Sequence, residues 1–285
     1  MATVTRRQPP EPSGSDGAAG ANEADGTGVS APAIRVRTTG ARQVNSSYHR
    51  QVVFPKILGN STSRQLHDTS PVVVIPVGST EQHGPHLPLD TDTRIATAVA
   101  AAVAGDTADA LLASALSYGA SGEHEGFPGT VSIGAEALSL VLLEFGRSAL
   151  NWASRLVFVN GHGGNVGALR SAVARLRYEG RDAAWCPCLV SGGDAHAGHT
   201  ETSVLLHLSP EDVVMGESRP GNTAPLVDLM PSMVHGGVAA VSEVGVLGDP
   251  TTANADAGAA LFAEMVAGAL GRVRRWEPDH NGMLQ

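Results

Sequence analysis

The stretch Pro71–Gly105, PVVVIPVGSTEQHGPHLPLDTDTRIATAVAAAVAG, decides the fold. It opens with PVVVIPVG, a β-branched apolar run of the kind that forms a strand buried on both faces. It closes with TRIATAVAAAVAG, an Ala-rich segment that reads as a helix beginning at Thr93 and stopping at Gly105. Between them Pro76–Thr93 crowds one Glu, two His and two Asp among three prolines and two glycines. A buried strand, a stiff polar loop and a helix make the repeating unit of an α/β domain.

Outward from this stretch the same unit recurs twice. SRLVFVN reads as a strand, GHGGN as a turn and VGALRSAVARLRYEG as a helix closed by Gly180. AAWCPCLV reads as a strand, SGGDAHAG as a loop, and HTETSVLLHL begins a helix. The alternation predicts an α/β domain with a largely parallel sheet. Each polar cluster then lies just past the carboxyl end of a strand, where the loops of open α/β sheets converge on one crevice. The three clusters are expected to meet in space.

Glu81 and His83 are two apart, so in extended backbone they point the same way, and Asp92 follows at the next helix start. NGHGGN adds His162, and DAHAGHTETS adds Asp194, His196, His199 and Glu201. Mixed imidazole and carboxylate groups suit Zn²⁺, Mn²⁺ or Fe²⁺. Pooled, they exceed what one ion needs, which points to two divalent ions per subunit sharing a carboxylate. Each cluster has a plainer reading when taken alone. Asp92 suits a helix N-cap, NGHGGN suits an anion nest at a helix N-terminus, and Glu201 suits an ordinary solvated carboxylate. Three clusters at three equivalent strand ends favour the metal site.

Composition bounds the rest. The chain has 285 residues, 42% of them hydrophobic, enough for one compact domain and a tail. A formal net charge of −9, with no basic run beside aromatic platforms, argues against nucleic acid as the main partner. No apolar run approaches the roughly 18 residues of a membrane span, and no apolar segment follows Arg6 and Arg7 as a secretory signal requires. A cytoplasmic protein without membrane contact is the expectation. Cys186 and Cys188 fit a buried strand better than a disulfide framework or a zinc knuckle. Residues 1–43 are rich in Gly, Ala, Pro, Ser and Thr and lack aromatic residues, so they read as a disordered low-complexity extension. Residues 44–285 form the expected catalytic domain, and Val44 is what an internal GTG start codon would print. There is no internal repeat.

PVGSTEQHGPHLPLDTD, EHEGFPGT, VNGHGGN and HAGHTETS, in that order between about residues 70 and 205, resemble the successive motifs of the creatininase family of metal-dependent amidohydrolases. The resemblance implies a three-layer α/β/α fold, a two-metal centre and a homo-oligomer. Carried over by position, Glu81 and His162 hold one ion, His83 the other, and Asp92 bridges them. Creatininase itself carries a glutamate at the position of Gly164, so Glu201 is expected to give the second ion its carboxylate. It also carries a substrate-packing tryptophan at the position of Gly192, which makes creatinine a poor substrate for this chain.

His196 matches the residue placed to protonate the leaving nitrogen, and Glu201 is grouped with it as catalytic. His124, flanked by Glu123 and Glu125, is expected to touch substrate or to stand behind the ligands, with direct ligation as its alternative. Gly163, Gly164 and Asn165 are further expected substrate contacts. FPKILGNSTSRQL is similar to the peptidase branch of the family, which implies a modified precursor peptide as substrate. Amide hydrolysis would release its C-terminal Val-Tyr-derived unit. The alternatives are a family hydrolase of a small cyclic amide or formamide, and a metal-dependent binding or assembly protein.

Overall fold

The structure, a computed structural model, describes residues 56–285. The expected boundary at Val44 and the first residues of FPKILGNSTSRQL lie outside them. The described elements are β1 (Lys56–Ile57), α1 (Ser63–Leu66), β2 (Val72–Val77), α2 (Thr91–Asp106), β3 (Ala110–Leu112), α3 (Gly134–Ala149), β4 (Arg155–Asn160), α4 (Val166–Tyr178), β5 (Ala183–Pro187), α5 (His199–Leu208), α6 (Leu226–Gly236) and α7 (Ala255–Arg275). All five strands run parallel in the order β1-β3-β2-β4-β5.

The strand sequences decide which side chains face which layer, because successive residues alternate across a sheet. Val72 and Val74 of β2, Val157 and Val159 of β4, and Ala184 and Cys186 of β5 pack with Val99 and Val103 of α2, Leu205 of α5 and Met265 and Ala269 of α7. The intervening residues Val73, Ile75, Leu156, Phe158 and Trp185 pack on the other face with Leu138 and Leu142 of α3 and Leu169 and Val173 of α4. The result is the expected three-layer α/β/α sandwich. Fully burying a side chain such as Phe158 or Ile75 contributes roughly 1.5–3 kcal/mol, so the two interfaces dominate stability.

Pro76 stands in the central strand, where a missing N–H is ordinarily costly. It is tolerated at this register because β3 has already ended, and the Pro76 carbonyl accepts Leu116 N–H at 2.9 Å. Pro187 lies in β5, an edge strand. β2 is followed by α2 on one face, and its neighbour β4 by α4 on the opposite face. The crevice between their carboxyl ends is the switch point of the sheet.

Two bounds differ from the sequence reading. α2 begins at Thr91, not Thr93, and runs one residue past Gly105. The strand from Ala183 ends at Pro187, because the chain turns after Cys188 donates to Asn160 O. Cys188, Leu189 and Val190 therefore lie beyond the strand. Cys186 is buried, Cys188 half-buried, and both are free. Among the described residues no helix is long and apolar enough to cross a membrane.

Candidate metal centre

Two glycines bring the first turn of α2 onto the ends of both central strands. A Cβ on Gly78, just past β2, would stand 2.4 Å from Thr93 Cα, and one on Gly161, just past β4, would stand 2.4 Å from Asp92 O. Only glycine permits this double approach, and it sets Asp92 at the mouth of the crevice. The helix N-cap is Asp90, whereas Asp92 is buried in the first turn. Ser79 donates its hydroxyl to Asp92 Oδ2 at 2.7 Å and Thr93 donates to Ser79 O at 2.9 Å. The capping alternative for Asp92 falls.

Around Asp92 the three clusters meet as expected. His83 Nε2 is 3.2 Å from Asp92 Oδ1, and His162 Nδ1 is 3.2 Å from Asp92 Oδ2. His162 Nε2 is 3.2 Å from Glu81 Oε2, and Glu201 Oε2 is 3.8 Å from His83 Nε2. Glu81, Asp92 and His162 thus form one donor set, and His83, Asp92 and Glu201 another, each with donor atoms within 4.8 Å of one another. A third set joins Glu81, His83 and His196. His83 donates Nδ1–H to Glu81 O at 3.1 Å, which leaves Nε2 bare toward Asp92 and Glu201 when the ring is neutral.

The charges favour cations. Burial is the largest influence on Asp92 and raises its pKa, but His83 and His162 together outweigh it and hold the carboxyl well below its ordinary value. For the imidazoles burial is again largest and lowers the pKa, yet Asp92 with the neighbouring carboxylates lifts His83 to about 10 and His162 to about 9. Burial pushes Glu81 upward, to about 7, with Asp92 adding to it. Both oxygens of Glu81 are buried without a hydrogen-bond partner. A buried carboxylate with two imidazoles beside it, at 3.2 and 3.3 Å, but no hydrogen bond is costly, and a divalent cation would satisfy it. The donor set fits a metal.

Behind the donors lies Gln82, which the sequence reading passed over. Its side-chain amide donates to His124 Nδ1 at 2.8 Å and to Gly245 O at 3.0 Å. His124 accepting at Nδ1 carries its proton on Nε2, 3.3 Å from Glu81 Oε1. His196 donates Nε2–H to Gln82 O at 2.9 Å, so its Nδ1, 3.9 Å from Glu81 Oε1, holds a lone pair. Burial lowers the pKa of His124 to about 3 and that of His196 well below the imidazole value. Both are neutral rings. The signal for Gln82 was its place between Glu81 and His83, but nothing in residue type marks a glutamine as an organiser.

The remaining expected residues divide. Asp194 is spent on α5, accepting from His199 N–H and from Thr200 N–H at 3.0 Å. The His199 ring turns to Thr252 Oγ1 at 3.0 Å and joins none of the donor sets. Asn165 is fully buried; its N–H groups go to Gly78 O and Asn160 Oδ1, and its Oδ1 accepts Ala120 N–H. That geometry makes it a brace between β2 and β4 with no donor left for a substrate. Gly163 has open space around it, and Gly164 lies against His162 and Glu123. A cavity of about 230 Å³ opens beside Asp92, His162, His196 and Glu201, with Leu189 and Met265 in its wall.

Fold and donor geometry together define a parallel α/β protein with an acidic, imidazole-rich cation site, and comparison with known proteins names the family. The family model for creatininase (creatinine amidohydrolase) matches residues 60–273. The chain belongs to the creatininase family of amidohydrolases and is a hydrolase of that family. A relative in Mycolicibacterium smegmatis, called mycofactocin precursor peptide peptidase, is 67% identical over 246 residues, covering 85% of this chain and 100% of that protein. A manganese creatininase superposes with a TM-score of 0.64 at 27% identity over 79% of this chain and 100% of that one. A zinc–zinc form of a glutamate-to-glutamine creatininase variant gives 0.64 at 27% identity over 78% and 98%.

Proposed function

We propose that this chain is a metal-dependent peptidase that releases the C-terminal Val-Tyr-derived unit from the modified mycofactocin precursor peptide. The observation that carries the reading is the 67% identity to a mycofactocin precursor peptide peptidase along that protein's whole length. Creatinine is disfavoured because the substrate-packing position is Gly192, with nothing within 4 Å of where a side chain would begin.

In this reading Glu81, Asp92 and His162 hold one divalent ion, and His83, Asp92 and Glu201 the other. The family's solved zinc and manganese forms make those ions, or Fe²⁺, the ones to test first. Bound there, the ions polarise an amide carbonyl and lower the pKa of water to near neutrality. The chain's own residues do the rest. His196 is neutral with a bare Nδ1, so it would take the proton that the attacking water gives up and pass that same proton to the leaving nitrogen. Leu189 and Met265 in the adjoining cavity wall offer an apolar surface to an aromatic unit. The unpartnered apolar residues Val227 and Val234 on α6, 75% and 72% exposed, support a homo-oligomer, and the enzyme is taken to act in the cytoplasm.

A substrate panel tests the reading. Purified protein is incubated with creatinine, a formamido compound and the modified precursor peptide, and only the peptide is expected to be consumed. Turnover of creatinine or the formamide in preference to the peptide would overturn it.

A further inference from the structure

His86 lies on the loop that carries Glu81 and His83, yet it joins none of the donor sets. It is 1% exposed. Its Nε2 is 2.8 Å from Thr202 Oγ1 on α5, while Nδ1 faces Gly84, where a Cβ would come within 3.0 Å, and has no hydrogen-bond partner. Burial, with His83 adding to it, lowers the His86 pKa to about 4, so the ring is neutral and carries one proton. An N–H buried without an acceptor is rarer in proteins than an under-used acceptor, so the proton sits on Nε2 and is donated to Thr202. A leucine would fill the same space without an unsatisfied nitrogen, and a buried polar group left half-paired is costly. What the imidazole adds over an apolar side chain is its one bond to Thr202.

Thr202 passes that bond on toward a metal donor. With its oxygen taken by His86, its own hydroxyl hydrogen is left for Ala197 O, a long bond of 3.5 Å. Ala197 is fully buried at φ +53, a left-handed conformation that alanine keeps only where its surroundings hold it. In that conformation its N–H meets Glu201 Oε2 at 2.6 Å, and this is the oxygen that stands 3.8 Å from His83 Nε2. A chain of three hydrogen bonds thus runs from the loop of Glu81 and His83 to the carboxylate at the start of α5.

We propose that His86 is a positioning residue for Glu201: through Thr202 and the Ala197 backbone it fixes the carboxylate that serves the ion on the His83 side. The proposal rests on the metal-site reading above. His86 touches neither ion nor substrate, and it acts by holding the first loop and α5 in register.

The test uses Mn²⁺ alone, titrated by calorimetry into metal-free protein, with no peptide present. Two backgrounds separate the ions, since Glu81→Gln leaves the Glu201-side equivalent to be measured and Glu201→Gln leaves the other. In the first, Thr202→Val and His86→Leu are each expected to weaken Mn²⁺ about 10-fold, the lower end of the usual cost of losing a group behind a metal ligand, and in the second to change it by less than about twofold. Thr202→Ser and His86→Gln, which keep a hydroxyl and an N–H donor in the same places, should bind as their backgrounds do. His86→Leu and Thr202→Val together should cost no more than the larger single loss, because both cut the same chain of bonds. Equal weakening of both equivalents would make the pair a brace of the whole fold and overturn the proposal. Unchanged binding, additive losses, or weak binding by both conservative variants would overturn it too. If the unaltered protein bound no Mn²⁺, Zn²⁺ or Fe²⁺, the metal-site reading itself would fall and this proposal with it, whereas failure on the peptide alone leaves these titrations standing.

Discussion

At the scale of single residues, Asp92 is the hinge of the centre, because its two oxygens face His83 and His162 at the same 3.2 Å. Asp92→Ala should therefore lose both metal equivalents, whereas His83→Ala should empty chiefly one; elemental analysis of the purified variants distinguishes them. His196 lends itself to a sharper prediction. An amide leaves as a basic amine and needs a proton, while an activated ester leaves as a weak base and does not. His196→Ala should keep its metals and lose about 10²- to 10⁴-fold on the peptide, with a much smaller loss on an activated ester analogue. Equal losses on both substrates would assign His196 to positioning. That Glu81, His83, Asp92, His162 and Glu201 gather was legible from residue type and strand-end position, while their separation from Asp194 and His199 came from the family resemblance. Gln82 was not, since its part depends on which nitrogen of a distant imidazole it meets, and that is set only by the folded backbone.

At the scale of elements, the three strand, loop and helix units were legible with bounds off by a few residues, because β-branched runs and Ala-rich helices differ in period. β3 was not, being only Ala110–Leu112, too short to show a pattern. The close approach of Gly161 to Asp92 O predicts that Gly161→Ala pushes α2 away from β4 and lowers metal affinity even though no donor is altered; Mn²⁺ titration of that variant checks it. On the opposite face Glu179, at the end of α4, takes hydrogen bonds from Arg147 of α3 and from Arg175 at 2.8 Å. These bonds, Arg147 first, hold the Glu179 carboxyl down to about 2, against 4.5 for a free one. A depressed pKa means the stabilisation is present above pH 4.5 and is lost as the pH falls through about 2. Glu179→Gln should thus lower the melting temperature at pH 7, and the gap from the unaltered protein should close between pH 4.5 and 2.

At the scale of the whole molecule, three loops from three strand ends make one site only because β2 and β4 are neighbours with their helices on opposite faces. That the three loops lie past the carboxyl ends of parallel strands followed from the alternation of elements, whereas strand order and the face each helix takes are not written in any local run of sequence. A chain beginning at Val44 is expected to keep its melting temperature and metal content, because residues 1–43 offer little apolar surface to a core. Thermal unfolding of the two lengths decides it. The central claim is that this fold cuts a modified peptide by means of its bound metal, and mass spectrometry of the modified precursor peptide incubated with metal-loaded protein tests it most directly. The account predicts release of the C-terminal Val-Tyr-derived unit, lost on chelation, restored by added divalent metal and absent with Asp92→Ala. An intact peptide after incubation with fully metal-loaded protein would contradict it.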